Sequence, residues 1–293
     1  MTRTIRGRDI DMQAHITGEW RRPTNTAADQ KGGIHDDDTA TDLGFRGGTV
    51  AGSIHMEQFP PLLEQVFGEA YWRTGSLSLY FRSATVDQEP VRCFVGEPVD
   101  AGAVRRAAVW MENEAGETIM SGTAACGGHD TGSELRARLA ELRPVTELRI
   151  LKDMAVGDTC SAVPTRVSDE RVDRQLTVIT EPLAWYRDPA RFGARVLPMT
   201  GVVGMFDPAE QELARPAIQP FVGLYGAIEI EFVNGPVFSE TSYLSSGEIV
   251  GLTDSPKTEV LWRDLQLEQD GRPVARMLKM DRILKDSSPL WRA

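Results

Sequence analysis

The sequence repeats itself after about 150 residues, and this repetition restricts the fold more than any other feature. Gly44 and Gly52 in the first half are matched by Gly193 and Gly201 in the second, at an offset of 149 residues in both cases (193 − 44 and 201 − 52). The matched glycines keep their order, and each pair leads into an apolar stretch. A chain of 293 residues with this pattern is predicted to contain two copies of one structural unit.

The segments that alternate between apolar and polar residues repeat as well. Segment 75–81 (GSLSLYF) is matched by segment 226–232 (GAIEIEF) at an offset of 151 residues (226 − 75). The turn glycines Gly116 and Gly271 lie 155 residues apart (271 − 116). Short insertions in the loops of a duplicated unit would produce an offset that grows slowly in this way.

Each copy is predicted to contain one apolar helix followed by an antiparallel meander. In the first copy, apolar residues recur at helical spacing from Ile54 to Phe67, and Pro60 and Pro61 must kink or interrupt this helix. A proline recurs at the matched place in the second copy, Pro208. Alternating segments then predict the strands of the first meander: 75–81, 90–96, 107–112 and 118–124, with an earlier strand near 16–20.

A linker is predicted between the copies. Ser133 is a good N-cap for a helix from Glu134 to Arg143, and Pro144 ends that helix. The predicted organisation is an N-terminal unit at 1–128, a linker helix in 129–150 and a C-terminal unit at 151–293.

The composition is typical of a soluble globular protein and disfavours several kinds of partner. The formal net charge of −11 disfavours nucleic acid and anionic membranes. No apolar run approaches the ~20 residues of a membrane span, and Met1–Arg6 lacks the apolar core of a signal peptide. We therefore expect a cytoplasmic protein. Its cysteines, Cys93, Cys126 and Cys160, are widely spaced and are expected to be buried thiols without a metal or disulfide partner.

Residues able to do chemistry are concentrated in the stretch 33–56. His35 stands beside three consecutive carboxylates, Asp36–Asp38, and a glycine-rich loop follows. Asp38 is expected to cap a short helical turn that ends at Gly44. A histidine beside carboxylates is suited to acid/base work, although a lone histidine is more often structural.

The loop leads into the apolar helix, which is expected to begin near Ala51. Gly52 and Ser53 would then lie in its first turn, where backbone N–H groups lack partners within the helix. Such groups stabilise an oxygen that gains negative charge. This turn is the predicted oxyanion site.

The two copies differ where this chemistry would lie. At the offset of 149 residues, His35 is matched by Ala184 and Asp37 by Tyr186. The second copy therefore has Tyr186 and the basic residue Arg187 in place of a polar pair. This difference predicts one working site and one half that is structural or holds substrate.

A helix wrapped by a meander, with a histidine before a glycine-rich turn, resembles the hotdog fold in its MaoC-like, (R)-specific enoyl-CoA hydratase form. The residues that carry the resemblance are Ile34–Asp37 and Gly44–Gly52. That family characteristically has Asp-x-Asn-Pro-x-His-x-Asp, a short helix, Gly-Phe and a turn into the central helix. The resemblance implies an α+β double hotdog, in which two units form a pseudo-dimer with one long antiparallel sheet around two central helices.

The family adds water to, or removes it from, the double bond of an enoyl thioester. The resemblance implies a lyase in which His35 acts as acid/base and the Gly52 and Ser53 amides hold the oxyanion. The implied substrate is an acyl thioester of CoA or of a carrier protein. No cofactor or metal is expected, and a homodimer is one assembly open to such a chain.

The family carboxylate is not matched. It lies five residues before the histidine, and Gln30 stands there in this chain, with Asp29 one residue earlier. Glutamine can position a water molecule but cannot take its proton. Either Asp29, Gln30, Asp36 or Asp37 orients the water, or the hydratase reaction has been lost. The remaining candidate substrate contacts are Arg46, Tyr186 and Arg187. The two arginines are candidates for binding a phosphate of the substrate.

Two alternatives stay open at this point. A hotdog thioesterase would use a carboxylate on the central helix, either Glu57 or Glu64, although the helical period places Glu57 in solvent or at an interface. A repurposed chamber would bind or cyclise a hydrophobic biosynthetic intermediate. A carboxylate within hydrogen-bond reach of His35, with both facing a tunnel, favours the lyase, and a His35 buried against the main chain favours the repurposed chamber. Glu57 pointing into the tunnel at the helix start of the opposite copy favours the thioesterase.

Overall fold

One antiparallel sheet of eleven strands runs through residues 14–292, which are the residues that the computed structural model describes. The segment Met1–Arg6, on which the expected absence of a signal peptide rests, lies outside them. The strands are β1 (His15–Thr17), β2 (Gly75–Phe81), β3 (Val91–Gly96), β4 (Val99–Ala101), β5 (Val104–Asn113), β6 (Thr118–Cys126), β7 (Thr159–Thr165), β8 (Gly223–Phe232), β9 (Tyr243–Asp254), β10 (Thr258–Gln269) and β11 (Arg272–Leu284). Their order is β1-β3-β5-β6-β2-β8-β11-β10-β9-β7, with β4 beside β5.

Short helices complete an α+β fold, as the sequence predicts. They are α1 (Asp37–Asp42), α2 (Gly52–Met56), α3 (Pro60–Phe67), α4 (Ala70–Thr74), α5 (Glu134–Ala140), α6 (Asp169–Gln175), α7 (Met199–Gly204) and α8 (Asp207–Ala214). A 3-10 turn spans Ala184–Tyr186. No helix within residues 14–292 has the length and apolar character needed to cross a membrane.

The two copies meet at the pairing of β2 with β8. Leu77 pairs with Ile230, and Leu79 pairs with Ile228. The offset of 151 residues (228 − 77) converts one of these pairs into the other. The pseudo-two-fold axis that relates the copies therefore passes between Ser78 and Glu229, which pair with each other.

The backbone at the matched glycines also agrees between copies. Gly44 has a φ of +85° and Gly193 has +83°, while Gly116 has +75° and Gly271 has +73°. Glycine is favoured in this left-handed region because it has no Cβ. The two pairs of turns therefore have the same conformation, which confirms the duplication.

The central helix of each copy is interrupted at its proline, as predicted. In the first copy α2 ends at Met56 and α3 begins at Pro60; in the second copy α7 ends at Gly204 and α8 begins at Asp207. The two helix starts face each other, since α2 packs against α7. Apolar residues of β2 and β8 pack against these helices in one core, and the opposite sheet face carries a second cluster under α5.

Several local predictions are wrong in detail. The N-cap of α1 is Asp36 rather than Asp38, because the Asp36 carboxylate accepts from Thr39 N at 3.4 Å and from Thr39 Oγ1 at 2.7 Å. The cap Ser133 is confirmed, but α5 ends at Ala140 instead of Arg143. Cys160 is only partly buried. The unit boundaries at 128 and 151 stay a prediction.

Candidate functional site

A cavity of about 270 Å³ opens at the start of α2. Both copies form its wall. The first copy contributes Ile34, His35, Phe45, Thr49, Val50, Ala51, Gly52, His55, Phe81, Arg82, Ser83, Ala84, Thr85 and Met120, and the second contributes Gly223, Leu224, Tyr225 and Arg282. The predicted histidine and the predicted oxyanion turn are thus brought to the same cavity.

His35 is held in one orientation by the main chain. Its Nδ1 lies 2.7 Å from the Thr49 carbonyl oxygen. A carbonyl only accepts, so Nδ1 carries the proton and Nε2 of the neutral ring keeps its lone pair. The Asn25 side-chain amide donates to the His35 carbonyl oxygen at 2.8 Å. Because the ring is partly exposed and lines the cavity, it is positioned to exchange a proton there.

Gly52 is required where α2 begins. A Cβ at this position would lie 2.7 Å from Cζ of Phe81, so any larger residue would have to displace the Phe81 ring. The amides of Gly52 and Ser53 have no acceptor among residues 14–292. Gly52 lines the cavity, whereas Ser53 is buried beside it.

Asp36 and Asp37 stabilise the chain segments that lead to the cavity. Asp37 Oδ1 accepts from Gly48 N at 2.6 Å, which fixes the glycine-rich loop. Asp36 is bound by Lys31 Nζ at 2.6 Å, and hydrogen bonds from Lys31 and Thr39 lower its pKa to about 2. Neither aspartate lines the cavity. Their roles in the structure are to cap α1 and to anchor the loop.

The other candidates for orienting water also lie apart from His35. Asp29 and Gln30 are exposed and do not line the cavity. Within the described part of the chain, no Asp or Glu forms part of the cavity wall. The structure therefore brings no carboxylate to His35 in this cavity.

The predicted substrate contacts outside the turn are also separate from the cavity wall. Arg46 Nη2 lies 2.6 Å from Glu89 Oε2 and donates to the Ala84 carbonyl at 3.3 Å. Tyr186 is fully buried in the second copy, and Arg187 is exposed there. These three residues do not meet the histidine and the oxyanion turn.

His55, on α2, also lines the cavity. Its ring is buried, Nε2 lies 2.7 Å from Thr85 Oγ1, and burial lowers its pKa to about 4. It is therefore neutral at ordinary pH. Its place one turn after Gly52 was the available signal, since that spacing puts it on the helix face that starts at the turn.

Aromatic side chains fill the corresponding region of the second copy. Trp72 packs edge-on against Trp185 and Tyr186, with ring centroids 5.8 and 6.2 Å away, and lies 6.1 Å from Phe232. Trp72 occupies the position matched by Gly223, at the offset of 151 residues (223 − 72). Phe232 likewise matches Phe81 (232 − 81).

Glu57 binds a backbone amide in the first turn of α7. Solvent exposure, one of its two expected placements, is wrong, because the residue is fully buried between α2 and α7. Its Oε1 accepts from Thr200 N in the first turn of α7, and Oε2 has no partner among residues 14–292. Burial raises its pKa to about 7.

No protein-family model and no curated protein matches the sequence of this chain.

Comparison with solved structures does find matches. A structure from Chloroflexus aurantiacus J-10-fl, described as a MaoC domain protein dehydratase, has a TM-score of 0.66 at 11% identity, covering 94% of this chain and 96% of that one. A conserved hypothetical protein from Mycobacterium tuberculosis, described as having a double hotdog fold, has a TM-score of 0.62 at 11% identity, with coverage of 94% and 97%. A MaoC-like dehydratase has a TM-score of 0.57 at 14% identity, with coverage of 92% and 97%.

At these identities the likeness establishes the fold. The eleven-stranded sheet around two broken helices and the full-length matches confirm the fold expected from the resemblance. The chain is a double hotdog whose structure is similar to those of MaoC-like dehydratases.

Proposed function

We propose that the protein is a MaoC-like hydratase or dehydratase that acts on an acyl thioester. The observation that carries this proposal is that one cavity is lined both by a histidine with a free ring nitrogen and by Gly52, the first residue of a helix whose first amides are unpaired within residues 14–292. His35 Nδ1 is committed to the Thr49 carbonyl, which leaves Nε2 for the substrate side. The amide of Gly52 borders the same cavity.

In the proposed reaction His35 moves one proton. Nε2 takes it from a water molecule as the water oxygen bonds to the β-carbon of the enoyl thioester. The electrons of the carbon–carbon double bond move to the carbonyl oxygen, where the amides of Gly52 and Ser53 stabilise the charge. The imidazolium then gives the proton to the α-carbon, and the carbonyl reforms. One molecule of water is added, and the reverse sequence is dehydration.

This scheme needs no carboxylate, in keeping with the cavity wall. The same imidazole acts first as base and then as acid. The carbonyl of Thr49 orients the ring and stabilises the imidazolium through Nδ1–H. The apolar residues Phe45 and Met120 line the space for the acyl chain.

Hydration of crotonyl-CoA by the purified protein tests the proposal. Loss of the general acid/base is expected to lower kcat about 10²- to 10⁴-fold in His35→Ala. His129→Asn is the matched control, because His129 binds Glu231 outside the cavity, and its turnover is expected to equal that of the parent. A parent protein that turns over no short or medium-chain enoyl thioester contradicts the proposal, as does a His35→Ala variant with full activity.

The absence of a carboxylate from the cavity wall favours one second candidate. A repurposed chamber would bind a hydrophobic intermediate, or hold it folded for cyclisation, without adding water. Such a protein would bind long-chain acyl thioesters, and His35→Ala would leave that affinity unchanged. The binding measurement and the hydration assay together separate this candidate from the lyase.

A thioesterase that uses Glu57 has less support. Its carboxylate does lie at the helix start of the opposite copy, but it does not border the cavity and already accepts from Thr200 N. Glu64 is committed to Trp72 Nε1 at 3.0 Å and to Arg191 at 2.7 Å. Release of free thiol from acyl-CoA in the same assay tests this activity directly.

A further inference from the structure

Tyr225 of the second copy lies on the sheet face where simple strand alternation would not place it. Along β8, Ile228 packs with the central helices, and Ala227 packs with the cluster on the opposite sheet face. Since successive side chains of a strand point to opposite faces, Tyr225 would be expected on the same face as Ala227. It packs instead with the central helices and borders the cavity.

A β-bulge explains this placement. Met280 of β11 pairs with Ala227, but the next residue, Asp281, pairs with Tyr225. Gly226 is therefore an extra residue in the ladder, and a Cβ at Gly226 would overlap the end of the Met280 side chain. A bulge of this kind changes the direction of the side chains beyond it and is common next to active sites. Here it directs Tyr225 to the cavity.

The hydroxyl group of Tyr225 is free to bind a molecule in the cavity. Its Oη has no hydrogen-bond partner among residues 14–292, and the surrounding protein does not close it off. The unpaired hydroxyls of Tyr71 and Tyr186, in contrast, are buried. Burial of the Tyr225 ring raises the pKa of its hydroxyl above the ordinary value of 10.0. The group therefore keeps its proton and remains a hydrogen-bond donor.

A buried cation holds the ring of Tyr225 from within the protein. Nζ of Lys279 lies 4.1 Å from the centroid of the ring. The same Nζ donates to Glu210 Oε2 at 2.5 Å, and Lys279 is only 2% exposed. Because a cation is attracted to the face of an aromatic ring, this contact restricts the orientation of the tyrosine.

Contacts along the wall connect Tyr225 to the predicted oxyanion turn. Tyr80 of β2 pairs with Ala227 of β8, and the next residues along the two strands lead to Phe81 and Tyr225. Neighbouring strands lie about 4.8 Å apart, so Phe81 and Tyr225 are close neighbours. The Phe81 ring reaches the start of α2, where its Cζ lies 2.7 Å from the position of a Cβ on Gly52. One side chain therefore separates the tyrosine from this turn.

The oxyanion turn presents a single residue to the cavity, since Gly52 lines the wall and Ser53 is buried beside it. Sites that stabilise an oxyanion commonly combine several donors.

The other hydroxyl groups of the wall are less suited to supply a second donor. Thr49 Oγ1 is buried, Thr85 Oγ1 is bound to His55 at 2.7 Å, and Ser83 is exposed. Among the hydroxyls that line the cavity in the described part of the chain, Tyr225 alone is held by packing and free to donate.

We propose that Tyr225 is a further catalytic residue, the second donor of the oxyanion site. This inference rests on the proposed function, which places an acyl thioester in the cavity. The Tyr225 hydroxyl donates to the thioester carbonyl oxygen beside the amide of Gly52. This hydrogen bond strengthens as negative charge develops on the oxygen. The tyrosine keeps its proton throughout, so the proton balance of the proposed reaction is unchanged.

Polarisation of the carbonyl can be measured without turnover. The probe is 4-dimethylaminocinnamoyl-CoA, an enoyl thioester whose absorption moves to longer wavelength when its carbonyl accepts hydrogen bonds. It is bound to His35→Ala and to the double variant with Tyr225→Phe, which loses part of the red shift. The matched control adds Tyr80→Phe to His35→Ala. It removes the same group from a ring on the opposite sheet face, and its red shift is expected to equal that of His35→Ala.

The kinetic effect is measured with His35 intact. Tyr225→Phe is expected to lower kcat for crotonyl-CoA about 10²- to 10³-fold, as the loss of one oxyanion donor does, with little change in KM. Tyr80→Phe is expected to match the parent. Circular dichroism and thermal melting verify that both variants are folded.

Several results would overturn the inference. One is an equal red shift with and without the Tyr225 hydroxyl, and another is a Tyr225→Phe variant with the kcat of the parent. A probe that does not bind, or that binds without a red shift, also overturns it.

The two proposals can fail separately. A red shift that depends on Tyr225, in a protein that hydrates no enoyl thioester, overturns the hydratase alone. Hydration that depends on His35 and not on Tyr225 overturns the second donor alone.

Discussion

The starts of the two central helices differ in almost every side chain that surrounds them, and α7 begins at Met199, two residues before the position matched to Gly52. At the start of α2, His35 and the amide of Gly52 border an open cavity. In the second copy, the matched positions are Ala184 and Gly201, and aromatic rings fill the region that corresponds to this cavity, while a separate pocket borders Thr200 of α7. The difference shows that a hotdog unit keeps its fold whether the region beside its helix is open or packed.

One substitution between the copies accounts for much of the contrast. Gly223 of β8 borders the cavity of the first copy, whereas the matched Trp72 of the first copy is fully buried against the rings of the second. Glu57 also accepts from the amide of Thr200 in α7, whereas the amides of Gly52 and Ser53 in α2 have no acceptor among residues 14–292. The second copy has therefore lost the space that corresponds to the cavity and one free amide in the first turn of its helix.

Removal of Trp72 is expected to have the largest effect on stability. Trp72→Ala would leave a hole among Trp185, Tyr186 and Phe232, and substitutions of this kind cost about 3–5 kcal/mol in the free energy of unfolding. Urea denaturation followed by fluorescence measures the loss. Trp20→Ala is the control, because Trp20 is 41% exposed, and its cost is expected to stay within about 1 kcal/mol. Equal costs for the two variants would show that the second region is not packed as described.

The next effect concerns Glu57 and depends on pH. Its pKa is about 7 in the folded protein against an ordinary value of 4.5, so the folded state holds this proton more tightly than the unfolded state does. The stability from this group is therefore fully present below pH 4.5 and is lost as the pH rises through 7. Glu57→Gln removes this dependence. Relative to the parent, its free energy of unfolding is expected to rise by up to about 3 kcal/mol between pH 4.5 and 8.

Denaturation across that pH range, with Glu114→Gln at an exposed turn as control, measures the difference. A difference in the free energy of unfolding between Glu57→Gln and the parent that does not change with pH would contradict the burial of this carboxyl group.

His55, at the start of α2, makes the stability depend on pH in the opposite direction. Its pKa falls from 6.5 to about 4, so its stability is present above pH 6.5 and is lost as the pH falls through 4. The two slopes largely cancel in the parent between pH 4.5 and 6.5, and Glu57→Gln is expected to expose the rising slope of His55.

The smallest effect compares the matched glycines directly. Gly52→Ala would push a methyl group into Phe81, whose nearest ring atom lies 2.7 Å from the added carbon, and such overpacking costs about 1–3 kcal/mol. In Gly201→Ala the nearest atom is Gln175 Oε1 at 3.3 Å. Since alanine favours a helix over glycine, this second variant is expected to be neutral or up to about 1 kcal/mol more stable. The melting temperatures of both variants, measured relative to the parent, test this difference. A shift of the melting temperature in the same direction in both variants would contradict the proposed difference in packing.

Much of the fold could be predicted from the sequence because its signals are local. Alternation gave β2 its observed bounds, Gly75–Phe81, and the prolines gave the break in each central helix. Cap choice was less certain, since Asp36 and Asp38 are both good N-caps and only the contacts of Thr39 distinguish them.

The cavity wall could be predicted only in part. His35 and Gly52 stand out by their residue types, but Tyr225 and Arg282 reach the wall through the pairing of β8 with β2 and of β11 with β8. A one-residue change in that register would turn each side chain to the other sheet face. The closing of the second region by Trp72 depends on the same long-range pairing.

The pairing of β2 with β8 also has a consequence for how the protein behaves on dilution. Because Leu224 and Arg282 belong to the second copy, a separate subunit supplying them would leave as its concentration fell, and part of the cavity wall would leave with it. Here the peptide chain itself ties both halves together. The residues of the second copy should therefore remain in the cavity wall at any protein concentration.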